Sequence, residues 1–358
     1  MNKLKAGILG ATGMVGQRFV TLLENHPWFD VQCLAASPSS AGKTYAESVK
    51  GRWKLEEIIP EYSRSIMVKR VEEDINSIGS GVDLVFSALD LDRKKTMEIE
   101  EAYASRGVAV ISNNSAHRWT SDVPMIIPEI NPGHSGLIDI QRKNRGWKKG
   151  LIVVKPNCSI QSYVPVIRAL ERYNPEKAIV TTLQAVSGAG KTLESWPEMA
   201  DNAIPFIGGE EEKSEKEPMK VLGAIGKNGI ELAKSPGISA TCIRVPVADG
   251  HMASVEISMK EKITEGEFID SINNYKNPIA DLNLPSAPKQ FIRYFTEDDR
   301  PQTRLDRNFE NGMGVSVGRL RKGNVLDWKF VSLSHNTIRG AAGGAILTAE
   351  LLKAKGYL

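Results

Sequence analysis

The sequence predicts an α/β protein of two parts. The first is a doubly wound, Rossmann-like parallel sheet, and the second an α+β domain with a mostly antiparallel sheet. Three observations carry this. Short apolar runs alternate with helix-length segments through the first 155 residues. A glycine-rich loop stands between the first strand and the first helix. After Val154 the runs become longer and more β-branched, as in a mostly antiparallel sheet.

Leu4 to Leu9 reads as a buried strand, and "GATGMVG" follows it. "QRFVTLLENHP" places Phe19, Val20, Leu22 and Leu23 on one helical face, and Pro27 ends that helix. Strands are expected at Asp30–Ser37, Val82–Leu89 and Val108–Asn113, with a helix over Arg93–Arg106. In the second part "AIVTTLQAVSG", "ISATCIRVPVADGHMASVEISM" and "NVLDWKFVSLS" read as strands. Helices from about Ser159 and from about Met219 to Ala233 are expected to cover them. The charge run "EEEKSEKE" reads as a solvated helix start. His335 to Gly356 reads as a long helix of small residues, packing back on the first part. The expected division is therefore 1–155 with 335–358, and 156–334.

The bulk numbers exclude several classes. A chain of 358 residues suits two domains, and 41% apolar with 25% charged residues is an ordinary globular balance. A net charge of +3 is no footprint for nucleic acid. Cys33, Cys158 and Cys242 are far apart without a CxxC, so neither a disulfide framework nor a metal site is expected. With no leader-like start and no apolar run of membrane-spanning length, a cytoplasmic protein is expected.

Gly10, Gly13 and Gly16 form G-x-x-G-x-x-G between a strand and a helix, the arrangement that lets backbone amides and a helix dipole hold a pyrophosphate. The end of the second strand reads "AASPSSAGK", with Ser37, Ser39 and Ser40 and no carboxylate before Glu47. That favours NADP over NAD. Cys158 follows a strand and opens the next helix-like segment, where free amides would lower a thiol's pKa and make a nucleophile. Its own amide and the Asn157 side chain are candidate oxyanion donors. Cys33 and Cys242 lie within strand patterns as small hydrophobes. Of five histidines, His251 opens a strand seven residues after Arg244, whose fork suits a carboxylate; it ranks only slightly above the others as the base.

Together, "GILGATGMVGQRF", "KPNCSIQ", "LQAVSGAGK", "RVPVADGH" and "SHNTIRGAAGG" resemble aspartate-β-semialdehyde dehydrogenases of the archaeal and fungal branch, over nearly the whole chain. The resemblance implies NADP-dependent reductive dephosphorylation of L-4-aspartyl phosphate to L-aspartate 4-semialdehyde, in lysine, threonine and methionine biosynthesis. It implies Cys158 as the nucleophile that forms a thioester, His251 as acid/base, and Gln184 orienting the acyl group beside Asn157. It implies Arg244 on the substrate carboxylate, Glu210 on the ammonium, and Lys213, Arg118 and Asn114 as phosphate contacts. The cofactor is expected on Gly10, Thr12, Gly13, Met14, Val15 and Gly16, on Ser37, Ser39 and Ser40, and on Ser87 and Leu89. Ser187, Gly188, Gly190 and Asn336 complete that set. Pro38 stands where many relatives carry an arginine, so some use of NAD is compatible with the pattern. A homodimer or homotetramer through the second domain is implied. Malonyl-CoA reductases and N-acetyl-γ-glutamyl-phosphate reductases share much of the motif set. The asparagine beside Cys158 argues against the first, and the acidic "GGEEEK" against the second. A non-catalytic NADP sensor would have no use for Cys158, Arg244 or His251.

Overall fold

A computed structural model describes residues 2–358. Six strands form the first sheet: β1 (Leu4–Leu9), β2 (Phe29–Ala36), β3 (Lys69–Arg70), β4 (Leu84–Ser87), β5 (Ala109–Ser112) and β6 (Leu151–Val154). Their order is β3-β2-β1-β4-β5-β6, and every pairing is parallel. That is the doubly wound order of dinucleotide-binding sheets. Helices cover both faces of such a sheet, so its strands bury both sides and read as unbroken apolar runs; β4, β5 and β6 are buried at every residue.

Eight further strands follow: β7 (Pro175–Gln184), β8 (Ala224–Gly226), β9 (Gly229–Glu231), β10 (Gly237–Arg244), β11 (His251–Met259), β12 (Ile292–Tyr294), β13 (Val315–Lys322) and β14 (Trp328–Ser334). Six of them form a second sheet, ordered β10-β7-β11-β14-β13-β12. Its three inner pairings are antiparallel, and the two outermost, β10 with β7 and β12 with β13, are parallel. The sheet is therefore mixed. A parallel return from β7 to β10 needs a crossover, and the helix Glu210–Val221 lies within that connection.

The expected helix over Met219–Ala233 is not present. The helix ends at Val221, and residues 224–231 form the β8–β9 hairpin. The physical reason is glycine at 223, 226 and 229, which disfavours helix beyond Val221, while Gly229 at φ +141 takes a backbone the hairpin uses and a helix does not. The segment after Cys158 is also not one long helix. It is a 3₁₀ turn, Ser159–Gln161, followed by a short α-helix, Val164–Ala169. The closing helix spans Ala342–Ala354 and begins later than its composition suggested.

Two apolar clusters build the core. One lies between the first sheet, the helix Met14–Leu22 and the closing helix, whose residues from Ala342 to Leu352 are all buried. Small residues let these two helices approach. The other runs from the opposite face of the first sheet, through Ile160, Tyr163 and Ile167, to the inner face of the second sheet. The turn that bears Cys158 is thus packed between the two sheets.

Candidate active site

Strand register alone assembles the centre of the site. Arg244 on β10 lies opposite Gln184 on β7. Met252 pairs with Leu183, which sets His251 beside Gln184. His251 in turn pairs with Ser334 on β14. Arg244, Gln184, His251 and Ser334 therefore form one cross-strand row on the buried face. All four are nearly or fully inaccessible.

The ring of His251 is held by its neighbours. The Ala185 backbone N–H donates to His251 Nδ1 at 3.1 Å. A nitrogen that accepts carries no proton, so in the neutral ring the hydrogen sits on Nε2. Nε2 itself is buried and has no protein partner. Burial, with Arg244 adding, pushes the imidazole pKa down to about 3. A Cβ on Gly188 would lie 2.8 Å from Arg244 Nη1 and 3.0 Å from His251 Nε2, so only glycine fits over this pair.

Cys158 caps the 3₁₀ turn, and Asn157 fixes that turn. Asn157 Oδ1 accepts from the Ser159 amide at 2.7 Å and from the Ser159 hydroxyl at 2.6 Å. Asn157 Nδ2 donates to both oxygens of Glu210 at 3.0 Å, and its backbone amide donates to Glu217 Oε2 at 2.6 Å. The expectation that a helix mouth lowers the Cys158 pKa is corrected. The thiol is pushed up to about 11, by burial first and by Glu210 second, with Arg118, Lys155 and Arg244 opposing. The residue is partly accessible, but protein atoms surround the sulfur. A three-residue turn also supplies far less dipole than a full helix.

Glu210 gathers the substrate side of the site. Lys213 Nζ lies 2.8 Å from Glu210 Oε1, and Gln184 Nε2 donates to Oε2 at 3.4 Å. Burial opposes the Glu210 charge, but Lys213, Asn157 and His251 outweigh it and hold the carboxyl below its usual range. Arg118 is differently employed. It donates to Glu217 Oε1 at 2.9 Å and to the carbonyls of Lys155 and Asn113, so its fork is spent on the protein. Asn114 likewise donates to Ser87 and to buried Glu100. Sequence reading passed over Lys155. This lysine is almost inaccessible and pushed well below the usual lysine range by burial and by Arg339. Its one signal was a cation three residues before a cysteine.

The glycine loop is built for close approach. Gly10 has φ +80, and a Cβ there would lie 2.2 Å from the Ala88 carbonyl oxygen; one on Gly16 would lie 2.1 Å from the Gly10 oxygen. The amides of Met14 and Val15 start the helix behind it. A cavity of 260 Å³ lies against Gly10, Thr12, Gly13, Ser37 and Leu89. These residues fit a dinucleotide. Met14 and Ser187 line a neighbouring cleft of 210 Å³, and Asn336 donates to the Ser187 hydroxyl at 2.8 Å while accepting from the Gly250 amide. Gly190 follows at φ +68, its carbonyl bonded to Lys54. Ser87 and Ser40 are buried, and Ser39 bonds Ser37. Glu72 and Glu73 also line the cavity. The ribose end is therefore not free of carboxylates, as sequence distance had suggested, because β3 brings them beside β2.

Residues 5–137 match the family described as semialdehyde dehydrogenase, NAD binding domain, and residues 165–339 its dimerisation domain. The chain is similar to an aspartate-semialdehyde dehydrogenase of Archaeoglobus fulgidus, 43% identical over 98% of both chains. It is similar to that of Candida albicans, 41% identical over the full length of both. A crystal structure of aspartate semialdehyde dehydrogenase with NADP from Candida albicans superposes with a TM-score of 0.88, at 38% identity and full coverage of both chains. Aspartate semialdehyde dehydrogenase II from Vibrio cholerae gives 0.75 at 26% identity, again with full coverage of both chains.

Proposed function

The chain belongs to the aspartate-semialdehyde dehydrogenase family, NADP-dependent oxidoreductases acting on an aldehyde group, and from that premise we propose how its own residues carry the reaction. The reaction is reversible: L-4-aspartyl phosphate is reduced to L-aspartate 4-semialdehyde with release of phosphate, in lysine, threonine and methionine biosynthesis.

Arg244 takes the substrate carboxylate in its fork. Glu210 takes the ammonium, and Lys213, beside it and partly exposed, takes phosphate oxygens, helped by Arg118 and Asn114 once substrate draws them from their present partners. Pairing Glu210 with an ammonium also removes the second largest influence that keeps Cys158 protonated. The Cys158 thiolate attacks the acyl carbon, the carbon–oxygen bond to phosphate breaks, and a thioester remains. The Cys158 amide serves the oxyanion, Asn157 joins it only as Glu210 turns to the substrate ammonium and frees its Nδ2, and Gln184 orients the acyl oxygen. Bound NADPH supplies the hydride that reduces this thioester. His251 donates an Nε2–H hydrogen bond to the oxygen left charged, and that oxygen re-forms the carbonyl as the carbon–sulfur bond breaks, releasing aldehyde and thiolate. Gly10, Thr12, Gly13, Met14, Val15 and Gly16 would hold the pyrophosphate. Ser37, Ser39, Ser40, Ser87 and Leu89 would surround the adenosine end, and Ser187, Gly188, Gly190 and Asn336 the nicotinamide end.

The observation that carries this reading is the row Arg244–Gln184–His251, faced by a cysteine turn tied to Glu210. We divide the chain into a cofactor domain, 1–155 with 335–358, and a catalytic domain, 156–334. Its dimerisation domain makes it a homo-oligomer, a homodimer or homotetramer in this reading, and we place it in the cytoplasm. No helix among the described residues is long and apolar enough to cross a membrane. The test is NADPH formation from aspartate semialdehyde that depends on phosphate. Formation that depends instead on coenzyme A would assign the chain to malonyl-CoA chemistry.

A further inference from the structure

The charge run "EEEKSEKE" is only partly solvated. Within the helix Glu210–Val221, Glu210, Ser214, Glu217 and Lys220 are buried, Ser214 and Glu217 completely. Their spacing of three to four residues puts them on one helical face. That face grips the cysteine turn and the loop of Arg118 at successive levels. Glu210 takes the Asn157 side chain. Ser214 Oγ lies 3.1 Å from Ser159 Oγ. Lys220 Nζ donates to the Arg118 carbonyl at 2.7 Å and to those of Thr120 and Val123 at 3.3 and 3.0 Å.

Glu217 stands between the two segments with one oxygen on each. Its Oε1 accepts from Arg118 Nη1 at 2.9 Å, and its Oε2 accepts from the Asn157 backbone amide at 2.6 Å. The Arg118 and Glu217 side chains are 8% and 0% exposed, so water does not loosen the pair. Both oxygens belong to one rigid planar group. The guanidinium that the reaction above assigns to phosphate is therefore held at a fixed separation from the residue before the nucleophile.

We propose that Glu217 is a positioning residue: it yokes Arg118 to the turn of Cys158, so that phosphate and the acyl carbon on sulfur meet in one geometry. The proposal rests on the reaction above and names the residue that couples its phosphate site to its nucleophile. In the direction from aldehyde to acyl phosphate, a phosphate oxygen attacks the thioester carbon, the carbon–sulfur bond breaks and sulfur leaves as thiolate. Glu217 acts on this step through Arg118. As an anion on Arg118 it also competes with phosphate for the fork.

The test uses the full chain with aspartate semialdehyde and NADP. Rapid mixing without phosphate reads thioester formation as a burst of NADPH. Steady turnover with phosphate reads release of the acyl group. A glutamine at 217 keeps the shape but has a single acceptor oxygen. That oxygen stays with the Asn157 amide, a fixed backbone donor, and the amide N–H groups are set against Arg118. Glu217→Gln should therefore leave the burst unchanged and lower phosphate-dependent kcat about 100-fold, the cost of a misplaced group. KM for phosphate should not rise, because the competing anion is gone. Glu217→Ala, which frees both partners, should slow both stages. With Arg118→Met already in place, Glu217→Gln should cost nothing further at the phosphate step. The proposal is overturned if Glu217→Gln changes neither stage, if it slows both alike as a general loss of structure would, or if its full cost adds to that of Arg118→Met. A wild-type chain whose turnover ignores phosphate overturns the reaction itself, and the proposal with it, before any variant is made.

Discussion

The amide of Ala185 donates to Nδ1 of His251 at 3.1 Å, and this one bond decides which nitrogen can work. The proton is confined to Nε2, the buried atom without a protein partner. In the proposed reaction the ring is a neutral hydrogen-bond donor to the reacting oxygen rather than a base for the thiol. His251→Asn, which removes that donor, should lower kcat about 100-fold or more, with little change in cofactor binding. Steady-state kinetics with calorimetry of NADP binding checks both parts.

Cys158→Ala should abolish turnover and spare cofactor binding. A second variant probes the electrostatics. Glu210 helps hold the thiol pKa up near 11, so Glu210→Gln should lower that pKa and speed alkylation of Cys158 by iodoacetamide at neutral pH. The same variant should raise KM for the amino acid substrate. Alkylation that stays as slow as wild type would remove Glu210 as an influence on the sulfur.

Gly188→Ala would drive a methyl to within 2.8 Å of Arg244 Nη1 and 3.0 Å of His251. Both side chains would shift in the row they share. Misplacement of this order costs about 100-fold in kcat/KM. The melting temperature should change little, since the clash falls on side-chain ends.

Arg339 and Glu129 form a bidentate ion pair, both essentially inaccessible, that ties the approach to the closing helix to the loop before β6. Arg339→Met leaves Glu129 buried without its partner. Removing one member of such a pair costs about 3–5 kcal/mol, and chemical denaturation should show it. Arg339→Met with Glu129→Gln should recover part of the loss.

His251 and His335 are held down to about 3 and about 4 by burial, with Arg244 second for the former. An unfolded chain protonates these rings near the ordinary value of about 6.5. Between about pH 6.5 and pH 4 the unfolded state therefore binds protons that the folded state refuses. Stability is full above that window and falls as pH drops through it, by up to about 1.4 kcal/mol per pH unit for each ring. Denaturation midpoints from pH 7 to pH 4 should fall, and His335→Gln should flatten the slope by about one proton.

Much of this molecule was legible before folding was considered. The parallel sheet was readable because strands buried on both faces must be continuous apolar runs, as in "LVFS" and "LIVV". Gly10 and Gly16 were readable because the contacts they make leave no space for a Cβ. The segment 219–233 was misread because helix-length spacing of apolar residues says nothing of the hairpin that Gly223, Gly226 and Gly229 form after the helix ends at Val221.

The local chain determined which chemical groups exist and which face each element buries, since periodicity and turn chemistry are properties of neighbours. The tertiary structure alone decided their charge states and pairings. It raised the Cys158 pKa, fixed the His251 proton on Nε2, spent Arg118 on Glu217, and set Glu72 and Glu73 beside β2. The reason is physical. Desolvation and Coulomb forces act through space, between residues that register and packing bring together from distant points of the chain, and no spacing along the sequence records those distances.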